Sequence, residues 1–184
     1  MRLVLCSASP RRREFLERLG VGFELRPAHL DETQRPGEEA RAYVARMALE
    51  KAASGAAPGA VALGADTIVL LGSQVLGKPR DRADAERILG LLSGNEHVVI
   101  TAVCVGQRVR SVETRVRFAR LSLAQIRWLA ASGDGDDKAG AYAVQGLAGT
   151  FIESVQGSVS NVVGLPLLET VELLAEAGVK LPWD

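Results

Sequence analysis

The chain has 184 residues, 47% of them hydrophobic and 24% charged, which suits an ordinary globular protein with a real core and a single domain over 1–184. Lysine plus arginine balance aspartate plus glutamate at 22 each, so the charge pattern argues against nucleic acid or an anionic membrane as partner and leaves a small molecule. Only four apolar residues lie between Arg2 and Ser7, too few for a signal-peptide core, no later run approaches a membrane span, and Cys6 and Cys104 sit in apolar runs as buried free thiols do; the expectation is a cytoplasmic protein.

Leu3-Val4-Leu5-Cys6 is a short continuous apolar run, the pattern of a strand covered on both faces. Ser7-Ala8 leads from it into a helix with Ser9 at the N-cap, Pro10 at the first helical position, Phe15, Leu16 and Leu19 on one face, and Gly20 as the stop. A second helix is expected from Glu38 to Ala53, its stripe running through Ala40, Tyr43, Val44, Met47 and Ala48 to Lys51. Val61 to Leu71 has strand character, and Gly72-Ser73 turns it toward Gln74-Val75-Leu76 as a hairpin. Asp81 then caps a helix through Ala85, Ile88, Leu89 and Leu92 that stops at Ser93-Gly94. Val98 to Val105 and Val109 to Phe118 are two longer strands joined at Gly106-Gln107, expected to pair antiparallel. Ser122 and Gln125 make a capping box for a helix ending at Gly133, and Pro166 opens a last helix through Leu168, Val171 and Leu174 or Ala175. Between these helices Gly133 to Gly164 is glycine-rich, serving tight turns or a ligand loop. Parallel-type and hairpin-type signals together point to α/β or α+β with a mixed sheet.

The start of the first helix is where chemistry is first suggested. Helix N–H groups and the positive end of the dipole favour an anion, and Ser7, Ser9, Arg11 and Arg12 add hydroxyls and fixed charge. Capping serines and solvent-facing arginines would look the same, but cations at a helix N-terminus oppose the dipole unless an anion is bound. Asp66 interrupts the apolar run around it, where a carboxylate is costly to bury unless it is paired, binds a metal, or merely caps a strand end. Gly64 and Ala65 leave room beside it for a ligand. Lys51, on an apolar stripe, either sends its ammonium to solvent or pairs with a carboxylate or phosphate. Gly72 to Pro79 nearly matches GxxxxGK followed by Ser or Thr, but Pro79 removes the hydroxyl and a backbone N–H, so the phosphate-loop reading is rejected while Lys78 can still reach a phosphate. Among the loop acids Asp31, Glu32, Asp134, Asp136 and Asp137, which are ordinarily solvated, Glu32 is the best candidate metal ligand. His29 and His97 have no zinc spacing.

These segments resemble, in order and over nearly the whole chain, the Maf family of nucleotide pyrophosphatases. The resemblance rests on Ser7-Ala8-Ser9-Pro10-Arg11-Arg12, Gly64-Ala65-Asp66-Thr67, Gly77-Lys78-Pro79-Arg80, Ser93-Gly94 with His97 and Thr101, Asp137-Lys138-Ala139-Gly140-Ala141-Tyr142, Gln145-Gly146, and Asn161-Val162-Val163-Gly164-Leu165-Pro166. It implies an α/β fold with a mixed twisted sheet flanked by helices, in two lobes with a central cleft, of the kind shared with inosine triphosphatases. It also implies hydrolysis of a nucleoside triphosphate to the monophosphate and pyrophosphate with a divalent cation, magnesium or manganese, a house-cleaning role, and a homodimer. Asp66 matches the family's general base. Lys51 is taken with it as catalytic, Glu32 joins it as metal ligand, and Ser7, Arg11, Arg12, Thr67, Lys78, Lys138 and Gln145 are the substrate-binding candidates, with Arg11, Thr67 and Gln145 setting base selectivity. The segments look most like the branch acting on dTTP and UTP; the alternatives are the branch acting on 7-methyl-GTP and a nucleotide-binding regulator of cell division without turnover. Cys6, Ala8 and Ala143-Val144 depart from the family's usual residues, which touches only fine selectivity.

Overall fold

The computed structural model describes residues 1–184. Its elements are β1 (Arg2–Leu5), α1 (Pro10–Leu19), β2 (Phe23–Leu25), α2 (Ala40–Ser54), β3 (Ala60–Leu71), β4 (Gln74–Leu76), α3 (Arg82–Leu92), β5 (Glu96–Val105), β6 (Arg108–Phe118), α4 (Leu123–Ser132), β7 (Ile152–Gln156), α5 (Val159–Val163) and α6 (Leu167–Glu176), with short 3-10 turns at Ala139–Ala141 and Leu147–Phe151. The strands hydrogen-bond in the order β2-β1-β3-β5-β6-β7, with β4 on β3, so the expected mixed α/β sheet flanked by helices is what forms. β1 runs parallel to both β2 and β3, whereas β4 and β7 return antiparallel, on β3 and β6 respectively. No helix is long and apolar enough to cross a membrane.

Contacts divide the chain into two compact units, one of Met1–Asp66, Thr101–Val112 and Gly164–Asp184, the other of Thr67–Ile100 and Glu113–Val163. The long strands β3, β5 and β6 contribute residues to both, so neither unit is a continuous stretch of chain. The first unit's core joins Leu3 and Leu5 of β1 to Leu16, Leu63, Val103 and Leu173. Burying each such side chain removes enough apolar surface for roughly 1.5–3 kcal/mol, which is what holds the helices to the strands. Cys6 and Cys104 are both buried and both free, as their apolar runs suggested, and burial pushes both thiols up, Cys104 to about 11.

The second unit packs Ile88, Leu89 and Leu92 of α3 against Val99, Phe118, Leu129 and Tyr142. His97 lies within this core at 1% exposure, its Nε2 2.8 Å from the Tyr142 hydroxyl and its ring against Phe118 and Tyr142, while Nδ1 has no partner. Burial holds the folded imidazole neutral down to about pH 4, while the unfolded chain's histidine takes up its proton near 6.5. The unfolded state therefore binds the extra proton in that window, and the folded protein is expected to lose on the order of 3 kcal/mol as pH falls through it, stability being full above pH 6.5. Urea unfolding at pH 7 and pH 4.5 checks this: His97→Gln should remove that part of the pH dependence, and an unchanged slope would assign it elsewhere.

Three expectations shift at the level of local structure. α2 starts at Ala40 and not at Glu38, because the Glu38 carboxylate is taken by Arg46 and by the Arg35 amide, which holds that residue in the preceding turn. Ser9 occupies the N-cap of α1 but its side chain makes no capping bond. α6 begins after Pro166 as expected, yet its buried residues are Thr170, Leu173 and Leu174, and Leu168 is 68% exposed. The stripe can include a threonine because the Thr170 hydroxyl donates to the Pro166 carbonyl at 2.6 Å, leaving no unpaired polar group in the core. The glycine-rich stretch also holds two elements its composition concealed, β7 and α5.

Candidate active site

Where β1 hands over to α1, the chain folds on itself through Ser7. Its buried hydroxyl oxygen accepts from the Ser9 amide and from Arg12, both at 3.2 Å. A hydroxyl that accepts twice keeps its own proton to donate. Arg12 turns inward: its Nε donates to the Gly164 carbonyl at 2.8 Å and a terminal nitrogen to the Ala65 carbonyl at 2.7 Å. Burial pulls its pKa below the ordinary arginine value, and the charges of Asp66 and Glu32 oppose that pull. The run of arginines at a helix start is thus divided among different tasks. Arg12 ties the turn to β3 and to the segment before α6, Arg13 pairs with Glu17 one turn along, and Arg11 is left half-exposed at the turn.

Asp66 and Lys51 are each 7% exposed and pair at 2.7 Å; Lys51 also meets Glu32 at 2.9 Å. One ammonium therefore draws two carboxylates together, Asp66 from β3 and Glu32 from the loop before α2. The open question about each residue is answered in the same contact: the costly buried acid is paired, and the lysine on the apolar stripe keeps its charge inside.

Gly64 explains how helix and strand come close enough. A Cβ placed there would lie 2.4 Å from both the Ala48 carbonyl oxygen and the Ala52 amide nitrogen, the two ends of one helical hydrogen bond in α2. Room beside Asp66 was expected to admit a ligand; the backbone of α2 fills it. Residues two apart on a strand share a face, so Gly64 sets the approach that lets Asp66 reach Lys51. Gly64→Ala is expected to lower stability by at least about 2 kcal/mol, since backbone must move to admit the methyl group. Chemical unfolding of the variant measures it, and a midpoint equal to that of the parent would show that α2 can withdraw at no cost.

The carboxylate pair fits a divalent cation. Magnesium takes one or two protein carboxylates and completes its shell with water and phosphate oxygens, and Asp66 and Glu32 offer two such groups around one ammonium. The donor set is all oxygen, and no group of three or more His, Cys, Asp or Glu side chains gathers anywhere, which is not how a zinc site is built.

The remaining candidates belong to the second unit. Thr67 follows Asp66 on β3 and is half-buried. Gly72 to Leu76 forms the expected hairpin, and α3 starts only at Arg82 behind its Asp81 cap, so no helix follows Lys78 as a phosphate loop would need. Lys78 is exposed, and its loop is joined to the Ala139–Ala141 turn through the Gly140 amide donating to the Gly77 carbonyl at 3.1 Å. Lys138 donates to the Asp134 carbonyl at 2.6 Å and pairs with Asp137. The Asp134 carboxylate accepts from the Leu147 amide at 2.9 Å and lies so near Gly146 that a Cβ there would be 1.8 Å from it. That loop holds Gln145, exposed, one residue before the glycine. Asp134 and Asp137 thus serve loop structure, whereas Glu32 shares the Lys51 ammonium with Asp66.

Sequence reasoning passed over Asn161 as anything but a motif letter. It is fully buried, and its amide donates to the Val99 carbonyl at 3.0 Å and to Thr114 at 2.8 Å, stitching α5 to β5 and β6. An asparagine between small and apolar residues was the signal. Tyr43 and Arg46, which hold the Glu32 loop, were read only as members of a helix.

The sequence has relatives among known proteins. The model of a family described as Maf-like protein matches residues 2–177. A dTTP/UTP pyrophosphatase of Anaeromyxobacter sp. (strain Fw109-5) is 57% identical over 100% of this chain and 93% of its own length. The Myxococcus xanthus (strain DK1622) protein of that name is 53% identical over 98% and 95%, and one from Shewanella oneidensis is 50% identical over 97% and 100%.

Proposed function

Because the chain belongs to the Maf family, we propose that it is a hydrolase acting on phosphoric anhydrides, which converts dTTP and UTP to the monophosphate and pyrophosphate. The observation that carries this reading is the buried Lys51 holding Asp66 and Glu32 together, with Arg12 close enough for its charge to be felt at Asp66.

Asp66 accepts the proton of the attacking water as the water oxygen bonds the α-phosphorus. The bond from that phosphorus to the α–β bridging oxygen breaks, and pyrophosphate leaves with the electron pair. Lys51 keeps Asp66 in place and stabilises its charge. The Ser7 hydroxyl and the α1 N-terminus hold phosphate oxygens, and Arg12 keeps that turn in position through its carbonyl contacts. Asp66 and Glu32 would hold magnesium or manganese, which when bound neutralises triphosphate charge. Arg11, Thr67 and Gln145 as selectors of the base, and Lys78 and Lys138 as phosphate binders, rest on the motif match alone.

Purified protein offered a panel of triphosphates including 7-methyl-GTP, with orthophosphate and pyrophosphate detected separately, tests the proposal. Cation-dependent pyrophosphate release from dTTP and UTP is expected. Orthophosphate as sole product would refute the bond assignment, preference for 7-methyl-GTP the branch, and binding without turnover the enzyme.

A further inference from the structure

We propose that Tyr43 and Arg46 are positioning residues that fix Glu32 against Lys51 and thereby set how well the acidic pair receives a cation-bound triphosphate. The inference rests on the function proposed above and adds residues that it does not use.

Glu32 lies in a segment between β2 and α2 without regular secondary structure, so no ladder of backbone bonds places it. Its side chain is 49% exposed, and a half-exposed glutamate on a free loop would sample many positions. Here the loop is fastened at the glutamate and again just after it. The Tyr43 hydroxyl donates to the carbonyl of Glu32 itself at 2.7 Å. Arg46 grips the carboxylate of Glu38 with two nitrogens, at 2.6 and 2.7 Å, and donates to the Thr33 carbonyl at 3.2 Å.

The pair is built to do this. Tyr43 and Arg46 are three residues apart on α2, hence on one helical face, with the Arg46 guanidinium 5.5 Å from the Tyr43 ring. The Arg46 and Glu38 side chains are 15% and 11% exposed, so their two-pronged contact is screened far less than a surface pair. α2 also supplies Lys51, so a single rigid helix carries both the charge that Glu32 answers and the clamp on the loop that presents it.

A double-mutant cycle separates positioning from simple bracing of the fold. Tyr43→Phe deletes only the hydroxyl. It is expected to lower kcat/KM for dTTP about five- to ten-fold and to weaken, by a similar factor, calorimetric binding of the α,β-methylene analogue of dTTP in magnesium. The urea midpoint should stay close to that of the parent. In a Glu32→Gln background the same substitution should have no further effect on either readout, because Tyr43 acts through Glu32. Arg46→Met should lower the same two readouts, here with a loss of stability because Glu38 is left without its partner, and Arg46→Lys should restore only part of the loss since a lysine cannot make the two-pronged contact. Equal effects of Tyr43→Phe in both backgrounds, or none in either, would overturn the proposal. Wild-type protein that binds the analogue but releases no pyrophosphate would instead refute the function, and the binding cycle would still decide the clamp.

Discussion

Asparagine in place of Asp66 is expected to lower kcat for pyrophosphate release by roughly 100-fold or more and to leave the chain folded. The amide has nearly the shape of the carboxylate but cannot take a proton from water. Folding survives because Lys51, 2.9 Å from Glu32, keeps a counter-charge and the new amide oxygen can still accept from the ammonium. Asp66 is also a proposed cation ligand, and the two roles separate experimentally. If Asp66 serves only to hold the cation, raising manganese restores turnover; if it receives the proton, saturating cation leaves the deficit in place. Turnover near the wild-type value would remove Asp66 from the chemistry altogether.

Lys51→Met should cost stability where Asp66→Asn costs activity. Methionine matches the lysine stem in length and fills the same space between α2 and β3. What vanishes is the charge between two carboxylates, at a place where Lys51 and Asp66 side chains are 9% and 10% exposed and water screens little. Removing one partner of a buried pair typically costs about 3–5 kcal/mol. The expectation is a loss of that size in urea unfolding with chelator present. Magnesium or manganese should then recover more stability in the variant than in the parent, because a cation supplies the missing charge. A variant as stable as the parent in chelator would show that Arg12 alone suffices to balance Asp66.

How much of this could be read beforehand depended on whether a residue broke a pattern. Asp66 in an apolar strand and Lys51 on an apolar stripe both violate the periodicity around them, and the two pair with each other in the candidate site. The capping box at Ser122 and Gln125 and the Asp81 cap are local signals, complete within four residues, and each formed as expected. Contacts between distant segments left no such trace. Nothing near Gly64 says that the backbone of α2 will rest on it, and nothing near Arg12 says that its partners are Ala65 and Gly164. Three-residue β2 is too short for any alternation to show, and Leu168 misled because an apolar residue at helical spacing need not face the core. Glu32 stood out only as the better of several loop acids, since its position is set by Tyr43 and Arg46 and not by its neighbours in sequence.

The Arg12 bond to the Gly164 carbonyl also bears on the order of events during synthesis. The arginine leaves the ribosome 152 residues before its partner, which emerges together with Leu165 and Leu173 of the same unit's core. Until then a guanidinium destined for burial has one of its acceptors missing, and the turn it braces stays wet and unset. The turn around Arg12 is therefore among the last parts of its unit to mature, and a nascent chain halted before Gly164 has the residues of that turn without one of the contacts that fix it.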